Sequence, residues 1–176
     1  MKKHAEIVVV GGGVIGTSIA YNMSKRGKEV VLLEKDDLAS GSSGACDIDI
    51  ILQSKNPGIH LELAMASAEL YKSLGAELDF DIEYKETGGM ILIENDEQLK
   101  VMQKFVQDQK AIGLQVELLD IKDALKRQPG ISPNLVGTTY SPQDADVNPM
   151  KLCEAYATAA KKLGAQIYLG TPVVDI

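Results

Sequence analysis

The chain has 176 residues, of which 45% are hydrophobic and 24% are charged, and its formal net charge is −7. This composition is typical of a folded globular protein and excludes a disordered chain. The acidic balance argues against nonspecific binding to nucleic acids, because neutralising phosphates requires clustered Lys and Arg. The two cysteines, Cys46 and Cys153, have neither disulfide density nor metal-site spacing, and no apolar run has the length of a transmembrane helix. We therefore expect a soluble cytoplasmic protein without a metal site.

The N-terminal part of the chain carries a strand–helix–strand pattern. Residues 5–10 (AEIVVV) end in a continuous, β-branched apolar run, and the segment is predicted to be a buried strand. Residues 14–25 have helical apolar spacing, and Gly27 follows them where a helix often ends. A second apolar run, EVVLLE over residues 29–34, predicts the next strand. Together these segments predict a βαβ unit with two parallel strands.

The rest of the chain is predicted to mix helices and strands. A loop of small residues over 39–45 (ASGSSGA) follows the second strand, and the acidic stretch over 79–86 is predicted to be a half-exposed strand. Helices are predicted over 60–74, 97–112, 121–128 and 148–163, and strands over 84–94, 116–119, 135–140 and 166–169. The segment 84–94 has a second interpretation, as two paired strands.

Three glycines occupy the junction between the first strand and the first helix in a GxGxxG pattern. Gly11 permits a tight turn, Gly13 leaves room for a pyrophosphate near the backbone, and Gly16 lets the helix pack closely on the strand. The helix N-terminus offers N–H groups to phosphates. Glu34 ends the second strand, where its carboxylate can accept hydrogen bonds from ribose hydroxyls. The pattern therefore predicts a dinucleotide site.

With Ala20 and Gly27 included, the glycine pattern resembles the flavin version of this fingerprint. The small-residue block after Glu34 resembles the FAD-dependent D-amino-acid-oxidase-like oxidoreductases, which include sarcosine oxidase, glycine oxidase and proline dehydrogenase flavoprotein subunits. TGGMILIE over residues 87–94 is similar to the start of that family's substrate-domain sheet. Residues 144–176 are similar to the helix and strand that return to its FAD domain. The resemblance covers the whole chain and about the first half of a family member.

The resemblance implies an α/β fold in which a doubly wound parallel-sheet FAD-binding domain is interrupted by an inserted, incomplete α+β substrate domain. The implied boundaries are 1–77 and 147–176 for the FAD-binding domain and 78–146 for the partial substrate domain. The implied activity is oxidation of the C–N bond of an amino acid or secondary amine, with hydride transfer to the flavin. Such a protein takes a small amine or amino acid as its substrate.

The resemblance also implies which residues contact FAD, whereas it assigns no catalytic residue within this chain. The pyrophosphate would be held by Gly11, Gly13, Val14, Ile15 and Gly16, and the adenosine ribose by Glu34. Lys35 would lie beside the adenine end, and the backbone of Val173 would meet the adenine. Ser42, Ser43 and Gly44 would approach the pyrophosphate and the flavin side of the cofactor. Asp47 and Asp49 depart from the family pattern by placing negative charge after this loop. Cys153 is expected in the core, and Cys46 is expected to be buried filler, with a thiol beside the flavin as the alternative.

Two other functions remain open from the residues alone. One is an NAD-dependent dehydrogenase built on the same βαβ unit, and the other is a noncatalytic dinucleotide-binding module. The family's substrate-carboxylate residues and second flavin loop lie in its C-terminal half. We therefore expect this chain by itself to lack amine oxidase or dehydrogenase activity, and to self-associate or to bind a partner chain that completes the fold.

Overall fold

The computed structural model describes residues 4–175, which form helices and short strands in alternation. In chain order the elements are β1 (Ile7–Val10), α1 (Val14–Lys25), β2 (Val30–Leu33), α2 (Ser42–Ala45), β3 (Asp49–Ile50), α3 (Ile59–Leu78), β4 (Gly89–Ile93), α4 (Asp96–Ile112), β5 (Glu117–Asp120), α5 (Ile121–Arg127), β6 (Gly137–Ser141), β7 (Ala145–Asp146), α6 (Pro149–Lys162) and β8 (Gln166–Tyr168). They divide into two compact units.

The first unit contains the described residues up to Ile48, Ser73–Tyr84, and those from Val147 onward. Its sheet has the order β1-β2-β8, and both strand pairs are parallel. The strands are parallel because α1 and α6 each carry the chain back across the sheet between consecutive sheet strands. This arrangement confirms the predicted βαβ unit, but β1 is not buried as predicted, because Val8 and Val10 are more than half exposed.

Helices α1 and α6 pack against each other in the first unit. Small side chains allow this approach, since Ala20 of α1 and Ala155 and Ala160 of α6 are completely buried. The rings of Tyr21 and Tyr156 lie beside them with centroids 5.7 Å apart. The side chain of Asn148 accepts a hydrogen bond from the amide of Lys151 at 3.1 Å and so caps the start of α6.

The second unit contains Asp49–Lys72 and Lys85–Asp146. Its main sheet is antiparallel with the order β4-β6-β5, and β3 and β7 form a separate two-stranded pair. Side chains from α3, α4 and the segments around them form the core, whose buried members are Leu52, Leu61, Ala68, Val106, Leu114 and Val116. Helix α4 begins at the cap Asn95 and ends at Gly113, which has a φ of 107°. That conformation is the left-handed one that glycine adopts without strain.

A buried polar network also lies within the second unit. Asp144 is only 2% exposed, and its carboxylate accepts hydrogen bonds from the amide of Leu52 at 2.9 Å and from Nε2 of Gln53 at 2.6 Å. The Oγ1 of Thr139 donates to Oε1 of Gln53. Burial raises the pKa of the Asp144 carboxyl above its usual range, although the hydrogen bonds from Leu52 and Gln53 oppose this shift.

Several sequence predictions need correction. The helix predicted over 60–74 extends over Ile59–Leu78, and the loop predicted over 39–45 contains the helical turn α2. The acidic stretch over 79–86 is not a regular strand, because Asp79 and Glu83 adopt positive φ values of 52° and 58°. The pair β3–β7 was not predicted, since strands of two residues carry no readable periodicity. Across residues 4–175, no helix combines the length and apolar character needed to cross a membrane.

Candidate dinucleotide-binding site

An open cleft of about 580 Å³ lies in the first unit where β1 turns into α1. Most of the predicted contact residues line it, namely Gly11, Gly13, Val14, Ile15, Gly16, Glu34, Lys35, Ser42 and Ser43. Gly44 and Val173 are outside this lining. The fold therefore brings the glycine turn, the end of β2 and the start of α2 to one place.

Each glycine of the GxGxxG pattern has a distinct physical reason to lack a side chain. Gly11 has a φ of 106°, which confirms the tight turn. A Cβ on Gly16 would overlap the carbonyl oxygen of Gly11, so α1 approaches β1 only because this position is glycine. A Cβ on Gly13 would lie 2.9 Å from Oγ of Ser43, inside the cleft.

The first turn of α1 presents N–H groups to the cleft. The amide of Val14 donates to Oγ of Ser43 at 3.0 Å. No hydrogen bond within residues 4–175 uses the amides of Gly13, Ile15 or Gly16. The first turn holds no acidic side chain, so the positive end of the helix dipole is not neutralised there. This donor set fits the negatively charged oxygens of a pyrophosphate.

The carboxylate of Glu34 is held by the backbone on both sides. Its Oε2 accepts from the amide of Gly12 at 2.5 Å and its Oε1 accepts from the amide of Asp36 at 2.8 Å. The amide of Asp36, and then that of Gly12, holds the pKa of the Glu34 carboxyl below its usual range. Glu34 is 7% exposed and borders the cleft. Each carboxylate oxygen has a second lone pair with which it can accept from a ribose hydroxyl.

Sequence reasoning missed Gly12, the middle residue of the GGG run. A Cβ at this position would lie 2.9 Å from Cδ2 of Leu38 and 3.0 Å from Cγ of Glu34. Its carbonyl also accepts from the amide of Ala39 at 3.1 Å. The signal that could have revealed it is the presence of glycine at a position that the GxGxxG pattern leaves variable.

The remaining predicted contact residues, Lys35, Gly44 and Val173, have different surroundings. Lys35 is exposed and its Nζ lies 3.6 Å from a carboxylate oxygen of Asp36. A Cβ on Gly44 would overlap the carbonyl oxygen of Ala39, so the packing of the turn itself requires glycine at this position. Val173 lies in the irregular segment after β8 and is partly buried.

The two cysteines have opposite environments. Cys153 is completely buried in α6, as predicted, and burial raises the pKa of its thiol. Cys46 is exposed and lines the cleft, with its Sγ 3.3 Å from the carbonyl oxygen of Ser43. The prediction that Cys46 is buried filler is therefore wrong. The short helix α2 ends at this residue and turns it outward.

Comparison with known proteins gives a consistent pattern. The profile of the FAD dependent oxidoreductase family (DAO) matches residues 6–176. The mitochondrial pyruvate dehydrogenase phosphatase regulatory subunit of Mus musculus is 32% identical over 98% of this chain and 20% of its own length. The glycine oxidase of Bacillus subtilis (strain 168) is 31% identical over 100% of this chain and 48% of its own length.

Solved structures agree with the sequence matches. The crystal structure of glycine oxidase from Geobacillus kaustophilus has a TM-score of 0.91 and 32% identity, covering 97% of this chain and 48% of that one. The L-proline dehydrogenase from P. horikoshii has a TM-score of 0.90 and 30% identity, covering 98% of this chain and 46% of that one. The chain thus spans about half the length of these enzymes.

Proposed function

Because this chain belongs to the FAD dependent oxidoreductase family, we propose that it is the FAD-binding part of an enzyme that oxidises the C–N bond of an amino acid or secondary amine. FAD is the cofactor of this family, which overturns the NAD-dependent alternative. The substrate class is supported by the relatives, since two of them are by name a glycine oxidase and an L-proline dehydrogenase.

The observation that carries the proposal is the donor set at the start of α1. The uncommitted amides of Gly13, Ile15 and Gly16 suit the pyrophosphate of FAD, and the carboxylate of Glu34 suits its adenosine ribose. Lys35 would flank the adenine end. Ser42, Ser43 and Gly44 would approach the pyrophosphate and the flavin side, and the backbone of Val173 would meet the adenine.

The chemistry that FAD supplies is the acceptance of a hydride from the carbon that bears the nitrogen. The residues of this chain would bind and orient the cofactor, and we assign a catalytic role to none of them. A carboxylate at the ribose also disfavours a ligand with a 2′-phosphate, because two negative charges would meet in a poorly solvated place.

We further propose that residues 78–146 are the first part of a substrate domain inserted between 1–77 and 147–176. The antiparallel sheet β4-β6-β5 lies in this segment, in a unit separate from the parallel sheet. That separation supports an insertion between two parts of a dinucleotide-binding fold.

A second candidate is a flavin-binding module without turnover. The observation that favours it is the regulatory subunit of Mus musculus, which is not an oxidoreductase by name and yet is 32% identical to this chain. In that case the cleft would bind FAD for stability or recognition.

Two measurements separate these candidates. The visible absorbance of the purified protein reports bound flavin. Turnover is then measured with glycine, sarcosine, proline and D- and L-amino acids and an artificial electron acceptor. The protein isolated from its source, together with any chain bound to it, is compared with the purified 176-residue chain, which is predicted to be inactive by itself. Bound flavin with turnover of one of these amines supports the enzyme, whereas bound flavin without any turnover favours the module. A protein that binds no flavin contradicts both.

A further inference from the structure

We propose that Glu34 and Gly12 form a positioning pair that holds the pyrophosphate loop in its binding conformation before any ligand arrives. This inference rests on the proposed function, because it concerns the same cleft. It assigns to Glu34 a role that is separate from contact with the ribose. It also assigns a role to Gly12, which the fingerprint leaves variable.

The hydrogen bond between Gly12 and Glu34 lies within the glycine turn. The amide of Gly12 lies between the turn at Gly11 and the amide of Gly13, and it donates to Oε2 of Glu34 at 2.5 Å. Glu34 is itself fixed, because its amide donates to the carbonyl of Tyr168 at 2.9 Å and its Oε1 accepts from Asp36. The loop is therefore tied to the end of β2 through one buried carboxylate.

Close packing surrounds the same position. Gly12 is buried, and a Cβ there would press on both Leu38 and the Cγ of Glu34. Because two of these contacts are with the side chain of Glu34 itself, a Cβ at this position would shift the carboxylate away from the amide of Gly12. Glycine at this position thus favours the hydrogen bond between the loop and Glu34.

The hydrogen bond from Gly12 should affect ligand affinity. Ligand affinity falls when a loop must first be ordered, because the ordering cost is subtracted from the contact energy. The hydrogen bond from Gly12 fixes the direction of the next peptide, which carries the amide of Gly13 toward the cleft. Loss of the bond should therefore weaken any ligand that uses those amides, including one without a ribose.

The experiment compares two ligands by calorimetry, ADP and inorganic pyrophosphate. Glu34→Gln keeps the size of the side chain. Its NH₂ group cannot accept a hydrogen bond, so one of the two backbone donors, the amide of Gly12 or that of Asp36, loses its acceptor. Gly12→Ala displaces the carboxylate without any change of charge. We expect both variants to weaken pyrophosphate binding about tenfold and ADP binding at least as much. Asp37→Asn is the matched control, because it removes an exposed charge from the same segment and should leave both affinities within about twofold.

Simple electrostatics predicts the opposite sign for Glu34→Gln, since removal of a nearby negative charge should strengthen pyrophosphate binding. Unchanged or tighter pyrophosphate binding in that variant, with weaker ADP binding, would mean that Glu34 acts on the ribose alone. That outcome would overturn the positioning role and leave the cofactor site intact. Should Glu34→Gln fail to fold, the Gly12→Ala variant decides the same question.

Amide hydrogen exchange in the ligand-free protein tests the pair independently of the proposed function. We expect slow exchange of the Gly12 amide in the unsubstituted protein and faster exchange in Glu34→Gln. Equal exchange rates in the two proteins would overturn the inference. Failure of the unsubstituted protein to bind FAD, ADP or pyrophosphate would overturn the proposed function instead, and the exchange rates would still decide the positioning role.

Discussion

Single residues in the cleft act through the space and the hydrogen bonds around them. Gly13 keeps a volume beside Ser43 free, and Glu34 retains its charge although it is almost buried. Both features are local, so point substitutions should change ligand binding or pH dependence without changing the fold.

Gly13→Val should abolish FAD binding. A Cβ alone would lie 2.9 Å from Oγ of Ser43, and the two methyl groups of valine would extend further into the cleft. Flavin absorbance after purification, with circular dichroism to check the fold, measures the effect. Gly130→Val is the matched control, because its Cβ would have only the side-chain amide of Gln128 nearby, at 4.0 Å. Stoichiometric FAD in Gly13→Val would show that the turn has only a structural role.

Glu34 should make the free energy of unfolding depend on pH in the acid range. Its folded-state pKa is lowered, chiefly by the amides of Asp36 and Gly12. The stabilisation is thus present above the unfolded pKa of about 4.3 and is lost as the pH falls through the lower folded pKa. Urea unfolding at a series of pH values should show this loss in the unsubstituted protein and a flatter profile in Glu34→Gln. Identical profiles for the two proteins would contradict the assignment.

At the scale of whole elements, contacts between helices and strands decide stability in each unit. Helix α1 lies on β1 where Gly16 faces the carbonyl of Gly11, and the segment at Leu52 is tied to Asp144 just before β7. The first contact joins elements that are neighbours in sequence, and the second joins segments 92 residues apart. Loss of either contact should lower the free energy of unfolding.

Gly16→Ala should destabilise the protein by about 1–3 kcal/mol. Helix propensity alone predicts the opposite, a gain of about 1 kcal/mol from replacing glycine within a helix. The overlap between the new Cβ and the carbonyl oxygen of Gly11 should prevail, because α1 would have to move away from β1. Urea unfolding measures the sign directly, and a more stable variant would show that α1 adjusts freely.

Asp144→Ala should destabilise the protein by about 3 kcal/mol. The substitution leaves the buried donors of Leu52 and Gln53 without their acceptor. Asp108→Ala is the matched control within the same unit, since Asp108 forms an exposed ion pair with Lys104 and should change stability by less than about 0.5 kcal/mol. Similar unfolding free energies for the two variants would contradict a stabilising role for the network.

At the scale of the whole molecule, the cleft belongs to only one of the two units. A ligand that binds the folded state alone stabilises it by mass action, which amounts to about 2.7 kcal/mol at a concentration 100 times its Kd. We expect FAD to slow amide exchange first around the cleft, in residues 11–16 and 34–46. Hydrogen exchange with and without FAD measures this, and slowing confined to the second unit would place the cofactor elsewhere.

The sequence by itself determined the βαβ unit and the glycine turn. Their signals are local, because a β-branched apolar run, a helical repeat and a glycine at the helix end each depend on neighbouring residues. Helix α1 is found over Val14–Lys25 as predicted. The spacing of a fingerprint is also a property of the sequence, and the residues it predicts as FAD contacts, Gly11, Gly13, Gly16 and Glu34, line one cleft.

Tertiary structure alone decided which groups meet across the chain. The bond from Gly12 to Glu34 spans 22 residues, that from Val14 to Ser43 spans 29, and that from Leu52 to Asp144 spans 92. Hydrogen bonds of this kind leave no periodic trace in sequence, because each needs only one suitable atom at each end. The role of Gly12 and the exposure of Cys46 followed from the way β2 and α2 meet the glycine turn.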